Sequence, residues 1–373
     1  MDTLQKLQIL SDASQYDLAC ACGTNGKDRR KRGDDGAWLY PVSLPSGGFA
    51  VMLKTLMSNT CVNDCKYCPY RDSTDVRRCT IGPDEMAAIF LNYVQKKDVY
   101  GLFLSSGVVR NPDHTMHLLN DTARILREKH KYRGYIHLKV IPGASDGAIE
   151  DTLKLANAVS INIEAPGAHR FEKLSSKKDY LRDIIHPMQL ISKLTARGAM
   201  YSRVRQTTQF IVGASDETDA EIVKYTTGLY GKLALDRVYY SAYQKGLGDS
   251  HIPGEQMSAI ENKEAVFVRE HRLYQVDFLF RKYSFTYNDI YFDNNGRLDL
   301  NTDPKMVWAR HHPEFFPVNV NRAPVRDLLR VPGLGPQTVN KIISIRKEKK
   351  LYRSDDLPVR GKRLQCVKLY VEY

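Results

Sequence analysis

Short apolar runs alternate with longer segments of helical periodicity through the middle of the chain. The apolar runs, which predict strands, cover residues 49–56, 101–105, 135–141, 159–163, 209–212 and 237–241. Between them, apolar residues recur at helical spacing over residues 84–97, 115–130, 147–156, 180–197 and 216–230, which predicts helices. Nearly continuous apolar strands are typical of a parallel sheet that is covered on both faces. The pattern therefore predicts an α/β fold of six βα units, as either a partial (β/α)6 barrel or an open doubly wound sheet.

The two flanks of this region have a different texture. Residues 1–18 predict a short amphipathic helix, and residues 19–48 predict a loop rich in glycine and charge. Residues 258–282 predict a further helix, and from residue 318 the pattern changes to short helices with tight turns. We therefore divide the chain into an N-terminal helix and basic loop (1–48), a βα domain (49–282), a connecting segment (283–317) and a small all-α domain (318–373).

The charge of the chain is unevenly distributed. The 373 residues carry a net charge of +12, and residues 301–373 contain 15 Lys and Arg against 7 Asp and Glu. A basic excess in one terminal segment favours a polyanionic partner, most simply nucleic acid. The sequence has no apolar run of the ~18 residues needed to cross a bilayer, and its first residues lack a signal-peptide pattern. We therefore expect a cytoplasmic protein with no membrane partner.

Three of the seven cysteines are crowded into the sequence Cys61-Val62-Asn63-Asp64-Cys65-Lys66-Tyr67-Cys68, shortly after the first predicted strand. The odd number of cysteines and this crowding disfavour a disulfide framework and fit a reducing compartment. Three thiolates at this spacing can bind three irons of a [4Fe–4S] cluster and leave the fourth iron open to a chelating ligand. The alternative is a zinc site with Cys79 as the fourth thiolate, in a non-catalytic nucleic-acid-binding protein with a structural metal.

The C-x3-C-x2-C spacing, with Tyr67 just before the last cysteine, resembles the signature of the radical S-adenosylmethionine (radical SAM) superfamily. In that superfamily the methionyl amine and carboxylate chelate the open iron. One electron then cleaves the sulfonium, and the resulting 5′-deoxyadenosyl radical abstracts hydrogen from the substrate. The resemblance implies a [4Fe–4S] cluster on Cys61, Cys65 and Cys68, S-adenosylmethionine as cofactor, a partial (β/α)6 TIM-like barrel, and an electron donor such as flavodoxin or ferredoxin.

Further residues resemble the same superfamily in the expected order along the chain. Ser105-Ser106-Gly107 follows the second predicted strand, where members of the superfamily have a small turn that holds the methionyl amine. Val108 stands where the superfamily has an acidic residue. Glu164, at the end of the fourth strand, would bind the ribose hydroxyls or the methionyl amine. The adenine-binding segment is matched from Gln209, which replaces its first glycine, through Gly213.

The resemblance thus implies a set of cofactor-binding residues, which are Tyr67, Ser105, Ser106, Gly107, Glu164, Arg205, Gln209, Gly213 and Tyr243. In this set Arg205 would pair with the methionyl carboxylate, and Tyr243 would line the adenine. Cys20 and Cys22 are candidates for a hydrogen-atom donor near the radical, or are plain surface thiols.

The basic tail contains a second motif, in which Val331-Pro332-Gly333-Leu334-Gly335 separates two short helical patterns. The stretch resembles a helix-hairpin-helix, a motif that binds the sugar–phosphate backbone. Glycines allow the tight turn, and the N–H groups at the start of the following helix can face a phosphate. The predicted nucleic-acid-binding residues are Gly333, Gly335, Gln337, Thr338 and Lys341. A degenerate second copy covers residues 354–364, and the alternative is a helical hairpin for protein contacts or for capping the barrel.

Together, the cysteine motif and the tail resemble a bacterial family described as DNA modification/repair radical SAM proteins. The resemblance implies a radical SAM enzyme that acts on nucleic acid, with DNA favoured and with the tail contacting the backbone. A radical SAM enzyme that modifies tRNA or a protein is the alternative. The sequence names neither the substrate nor the product.

Overall fold

The computed structural model describes residues 1–14, 31–33, 37–43, 48–96, 99–256 and 263–373. The chain forms two compact units. The first comprises Met1–Glu217 and Gly228–Glu261, and the second comprises Thr218–Thr227 and Asn262–Tyr373. The four-part division of the sequence stays a prediction, and a segment from the middle of the chain belongs to the second unit.

The first unit is built on one sheet, whose eight strands within the described residues follow each other in chain order. They are β1 (Lys31–Arg32), β2 (Trp38–Ser43), β3 (Phe49–Leu56), β4 (Gly101–Ser105), β5 (Tyr135–Lys139), β6 (Ala158–Ser160), β7 (Arg205–Val212) and β8 (Arg237–Ala242). Strands β3 to β8 are parallel, and β1 and β2 extend the sheet antiparallel at one edge. The predicted α/β fold, a partial (β/α)6 barrel, is confirmed.

Within the described residues, one or two α-helices lie between each pair of successive parallel strands, and two further helices precede β1 and follow β8. They are α1 (Thr3–Ala13), α2 (Pro83–Gln95), α3 (Pro112–Arg124), α4 (Asp146–Leu155), α5 (Ala168–Glu172), α6 (His186–Thr195), α7 (Asp219–Leu233) and α8 (Pro253–Gln256). Local signals set several starts: the Asn111 side chain accepts from His114 N, and Ser145 accepts from Ala148 N. Side-chain caps of this kind satisfy backbone donors that the first helical turn leaves unpaired.

The strand β2 corrects the sequence analysis, which predicts a loop over residues 19–48. Leu39 pairs with Leu53, and Tyr40 pairs with Met52, in an antiparallel register against β3. Pro41 obscured this strand in the sequence, because proline has no N–H to donate and therefore argues against a strand. It is accommodated here opposite Val51. Tertiary pairing with a long buried strand thus overrides the local signal.

The second unit is mainly helical. Its remaining helices are α9 (Lys263–Tyr283), α10 (Pro304–His311), α11 (Val325–Arg330), α12 (Pro336–Glu348) and α13 (Gly361–Lys368). A short parallel pair also occurs, between β9 (Val318–Asn319) and β10 (Val371–Glu372), which corrects the expectation of an all-α tail. The pair forms because Val318 and Val371 both enter the apolar core of the unit.

Buried side chains hold the second unit together. Leu328, Val331, Leu334, Val339 and Ile342 are buried with Val367 in one apolar cluster. The segment 218–227 joins this unit through Asp219, whose carboxylate accepts from Arg269 Nε at 2.6 Å and from Leu298 N at 2.8 Å. No helix within the described ranges is long and apolar enough to cross a membrane.

Candidate active site

A cavity of about 190 Å³ opens in the first unit where the parallel strands end. Residues from or just beyond six strands line it: Leu56, Ser105, Lys139, Asn162, Ile211 and Ser241. In a parallel barrel the carboxyl ends of all strands meet on one side, so segments distant in sequence share this space. Nine predicted site residues also line the cavity: Cys61, Cys65, Cys68, Tyr67, Ser105, Ser106, Gly107, Glu164 and Tyr243.

Each of the three cavity-lining cysteine sulfurs accepts a hydrogen bond from nitrogen. Val108 N donates to Cys61 Sγ at 3.4 Å, and Tyr70 N donates to Cys68 Sγ at 3.4 Å. The Lys178 side chain donates to Cys65. Hydrogen bonds to sulfur are the outer contacts that orient and tune thiolate ligands of iron–sulfur clusters.

Two of the thiols, those of Cys65 and Cys68, are costly to ionise without a bound cation. Burial raises the pKa of Cys65, and burial together with the neighbouring Cys65 raises the pKa of Cys68 to about 12. Metal binding requires the thiolate form and supplies the positive charge that stabilises it. The donor set of three cavity-lining thiols with N–H partners therefore fits a thiolate-bound iron–sulfur cluster.

Cys79, the fourth ligand of the alternative zinc site, lies apart from the other three. Its sulfur faces the main-chain oxygen of Lys6 at 3.9 Å, and Cys79 is not part of the cavity wall. Within the described ranges, no three His, Cys, Asp or Glu side chains converge on a position for a metal ion. The placement of Cys79 disfavours the zinc alternative.

Gly107 lets the main chain approach the cysteine loop, residues 61–68, closely. A Cβ atom at Gly107 would lie 2.4 Å from Thr60 O and 3.3 Å from the Cβ of Cys61. Gly107 N donates to Ser58 O at 2.7 Å, which joins the end of β4 to the start of this loop. Only glycine allows this approach, so the residue type is explained by packing.

Glu164 is a buried carboxylate held in an uncommon backbone conformation. Its φ is +62°, and its exposed fraction is 6%. Glu164 N donates to Gln209 O at 3.0 Å, and Ile211 N donates to Glu164 O at 2.8 Å, which fixes the residue beside β7. The carboxylate accepts from Tyr67 Oη at 2.7 Å and from Asn162 Nδ2 at 3.4 Å. Strain of this kind at a buried charged group is typical of a functional site.

The negative charge of Glu164 raises the pKa of both Tyr67 and Lys178. Burial raises the pKa of Tyr67 well above its usual value, and the negative charge of Glu164 raises it further, so the phenol stays a donor. Burial alone would lower the pKa of Lys178, but the charges of Cys65 and Glu164 outweigh it and raise that pKa. The cavity therefore contains an ammonium beside a carboxylate and a sulfur.

The segment 174–178 covers the cysteine loop. Asp64 accepts from Ser175 Oγ at 2.6 Å and from Ser176 N at 2.8 Å. Although burial alone would raise it, these bonds lower the pKa of Asp64 to about 2. Lys66 N donates to Leu174 O at 2.8 Å. The cysteine loop is therefore held by polar contacts to a segment more than a hundred residues away.

Three predicted cofactor-binding residues do not line the cavity. Arg205 is the exposed first residue of β7 and pairs with Ala158 at the start of β6, so it lies at the end of the sheet opposite to the cavity. This placement corrects its assignment to the methionyl carboxylate. Gln209 is buried, and its main-chain oxygen accepts a hydrogen bond from Glu164 N. Gly213 N donates to Glu217 Oε1 at 2.7 Å. Cys20 and Cys22 lie outside the described residues.

Sequence reasoning missed several polar residues of the cavity wall, among them Lys139, Asn162, Lys178 and Ser241. Lys139 and Ser241 stand in predicted strands near their carboxyl ends, and that position was an available signal. Lys178 had no such signal, because it follows α5 in an irregular stretch.

In the second unit, α11 and α12 are joined by Val331–Gly335. Gly333 has a φ of +85° within this turn. Lys305 Nζ donates to Leu334 O at 2.6 Å, and Arg363 Nη2 donates to Gly333 O at 2.9 Å. The buried Lys305 and the exposed Arg363 satisfy the carbonyls of the turn from within the unit.

Gly335 precedes α12 without a side-chain cap, and Pro336 is its first residue. Gln337 and Lys341 are exposed on this helix, whereas the Thr338 hydroxyl accepts from Arg363 Nη2 at 3.5 Å. The second predicted copy consists of the turn Ser354–Asp356 and α13. There, Arg360 Nη1 donates to Leu357 O at 2.6 Å and to Val359 O at 2.8 Å. In both copies a basic side chain binds turn carbonyls.

No protein-family model and no curated protein matches the chain. Solved structures with a similar fold include methylornithine synthase (PylB), at 12% identity and a TM-score of 0.46 over 61% of this chain and 62% of that one. The FeFe-hydrogenase maturase HydG from Carboxydothermus hydrogenoformans has 13% identity and a TM-score of 0.47 over 61% and 52%. A radical SAM methyltransferase from Sphaerobacter thermophilus has 13% identity and a TM-score of 0.38 over 57% and 65%. The matched part spans less than two thirds of each of these three structures.

Proposed function

We propose that this protein is a radical SAM enzyme, in which Cys61, Cys65 and Cys68 hold a [4Fe–4S] cluster and the adjoining cavity binds S-adenosylmethionine. The observation that carries the proposal is the cavity itself, where three thiols with N–H partners lie beside a strained, buried carboxylate at the strand ends of a parallel partial barrel. When bound, these cofactors would supply a 5′-deoxyadenosyl radical by reductive cleavage of the sulfonium.

The cavity residues have distinct roles in this proposal. Glu164, oriented by Tyr67 and Asn162, accepts from the methionyl ammonium or the ribose hydroxyls. The cations in the cavity wall are Lys139 and Lys178, and Lys139 replaces Arg205 as the partner of the methionyl carboxylate. The Tyr243 phenol donates to Glu255, which leaves its ring as part of the wall.

The substrate in this proposal is nucleic acid, with DNA favoured. The support is the hairpin of the second unit, where Lys305 and Arg363 bind the turn carbonyls and Lys341 is exposed one turn into α12. Backbone N–H groups at such a helix start favour phosphate, and the excess of 15 basic over 7 acidic residues in residues 301–373 adds non-specific attraction. Contacts of this type position a nucleic acid without reading its sequence.

Anaerobic reconstitution tests the enzyme. We expect about four irons per chain and 5′-deoxyadenosine after reduction with S-adenosylmethionine. A Glu164→Gln variant should retain the irons and lose affinity for S-adenosylmethionine, because the amide lacks the negative charge for an ammonium. Bound zinc without cleavage would refute the proposal and leave a non-catalytic binding protein.

Retention on duplex DNA, single-stranded DNA and tRNA across a salt series tests the substrate class. We expect retention at low salt that declines steeply with salt, followed by a mass change in DNA incubated with the reconstituted enzyme. Stronger retention on tRNA than on DNA would indicate an RNA substrate. No retention on any nucleic acid at low salt would refute this part of the proposal and favour a protein substrate.

A further inference from the structure

The segment 174–178 approaches the cysteine loop at several points rather than at one. Besides the contacts of Asp64 with Ser175 and Ser176, Lys177 Nζ donates to Val62 O at 2.8 Å and pairs with Asp72. Five or more polar contacts over so short a segment determine where its last residue lies. That residue is Lys178, whose side chain enters the cavity.

Lys178 and its neighbour Lys177 face different surroundings. The Lys178 side chain bonds to Cys65 and lies close to Cys61 and Glu164. The Lys177 side chain is exposed, and its ammonium contacts a main-chain carbonyl and a carboxylate at the surface. The two lysines therefore have the same charge and adjacent positions, but of the two only Lys178 contacts a cysteine sulfur.

We propose that Lys178 is a positioning residue for the iron–sulfur site, which acts through Cys65 to raise the reduction potential of the cluster. This inference rests on the proposed function. The potential of an iron–sulfur cluster depends on its net charge, on hydrogen bonds to its sulfurs and on solvent exposure. A cation that donates to a ligand sulfur in a buried site stabilises the reduced form, because reduction adds negative charge to the cluster.

The test compares four variants of the full chain with the wild type, each reconstituted anaerobically without S-adenosylmethionine. Lys178→Met removes charge and donor, Lys178→Gln removes the charge and keeps a donor, and Lys178→Arg keeps both. Lys154→Met removes the same charge from an exposed position at the end of α4. Iron and sulfide analysis is followed by a redox titration in which electron paramagnetic resonance measures the reduced cluster.

We expect the ratio of reduced to oxidised cluster in Lys178→Met to be about tenfold lower at the wild-type midpoint potential, which corresponds to a midpoint about 59 mV more negative for one electron. Lys178→Gln should lie between Lys178→Met and the wild type. Lys178→Arg and Lys154→Met should stay near the wild type, because charge remains at the sulfur or is removed from a screened surface position.

Equal potentials in the wild type, Lys178→Met and Lys178→Gln would overturn the inference. Loss of iron from every Lys178 variant, Lys178→Arg included, would also overturn it, because it would show a structural role for the native side chain. If Lys178→Met alone loses iron, the Lys178→Gln potential decides. Failure of the wild type to bind iron would instead refute the proposed function.

Discussion

The cavity of the first unit draws on residues from Ala13 to Leu247, whereas the hairpin of the second unit is one stretch of chain from Val325 to Glu348. The cavity exists only when six strands are in register, so each of its side chains depends on distant pairing. The hairpin depends on a local turn and on two cations that bind its carbonyls. The difference predicts that substitutions in one region change its own chemistry and leave the other region intact.

The largest expected effect is the loss of iron from Cys65→Ser. Removing one of three thiolates from a cluster site should abolish iron binding and cleavage of S-adenosylmethionine, while retention on DNA stays at the wild-type level. Iron analysis and a filter-retention assay measure the two properties on one preparation. Cys366→Ser, in α13, is the matched control and should keep its iron. If Cys65→Ser keeps the full iron content, Cys65 is not a ligand of the cluster.

The next effect is a loss of stability in Gly333→Ala. A Cβ at Gly333 would lie 2.8 Å from Val367 Cγ2, so overpacking should cost about 1–3 kcal/mol. Gly361 is the control, because it also has positive φ, +62°, but no atom lies within 4 Å of its Cβ position. Urea unfolding of the full chain, with hydrogen exchange of hairpin amides, measures both. Equal losses in the two variants would show that backbone strain alone matters.

Lys341→Gln tests whether the hairpin contacts phosphate. Loss of one phosphate contact should weaken DNA retention about tenfold at ~0.1 M salt and reduce the slope of log affinity against log salt by about 0.9. Lys154→Gln, exposed at the end of α4 in the first unit, should change neither value. An unchanged slope for Lys341→Gln would place the nucleic acid elsewhere on the protein.

The last effect is a pH dependence at Lys305. Burial lowers the pKa of Lys305 to about 7, from 10.5 for an exposed lysine. Between these two values the unfolded chain binds more protons, so the free energy of unfolding should rise with pH from about 7 to 10.5. Below the lower of these two pKa values the folded state contains the buried ammonium, so the full penalty of burying it lowers the free energy of unfolding.

Lys305→Met should remove this rise, which is at most about 1.4 kcal/mol per pH unit. Unfolding of the full chain at a series of pH values measures it. Cys366 lies close to Lys305, and burial raises its pKa, so the comparison is made in a Cys366→Ser background. Parallel curves with and without Lys305 would contradict the prediction.

Much of the architecture was predictable because it depends on local patterns. Predicted strands 49–56 and 101–105 match β3 and β4 residue for residue, since a strand buried on both faces is apolar throughout. The strand predicted at 209–212 begins earlier, at Arg205. The start of β7 is polar and therefore gave no apolar signal, but it pairs with the neighbouring strands β6 and β8. Trp38–Ser43 escaped prediction because Pro41 conceals a strand that pairing with β3 creates.

The sequence by itself determined the spacing of the three cysteines, the order of the βα units and the glycine turn of the hairpin, because each depends on residues close together in the chain. Only the tertiary structure decided that Arg205 lies at the far end of its strand, that Cys79 stands apart, and that Lys178 contacts Cys65. These outcomes depend on sheet register and on contacts across more than a hundred residues, and no local pattern encodes a distance between such positions.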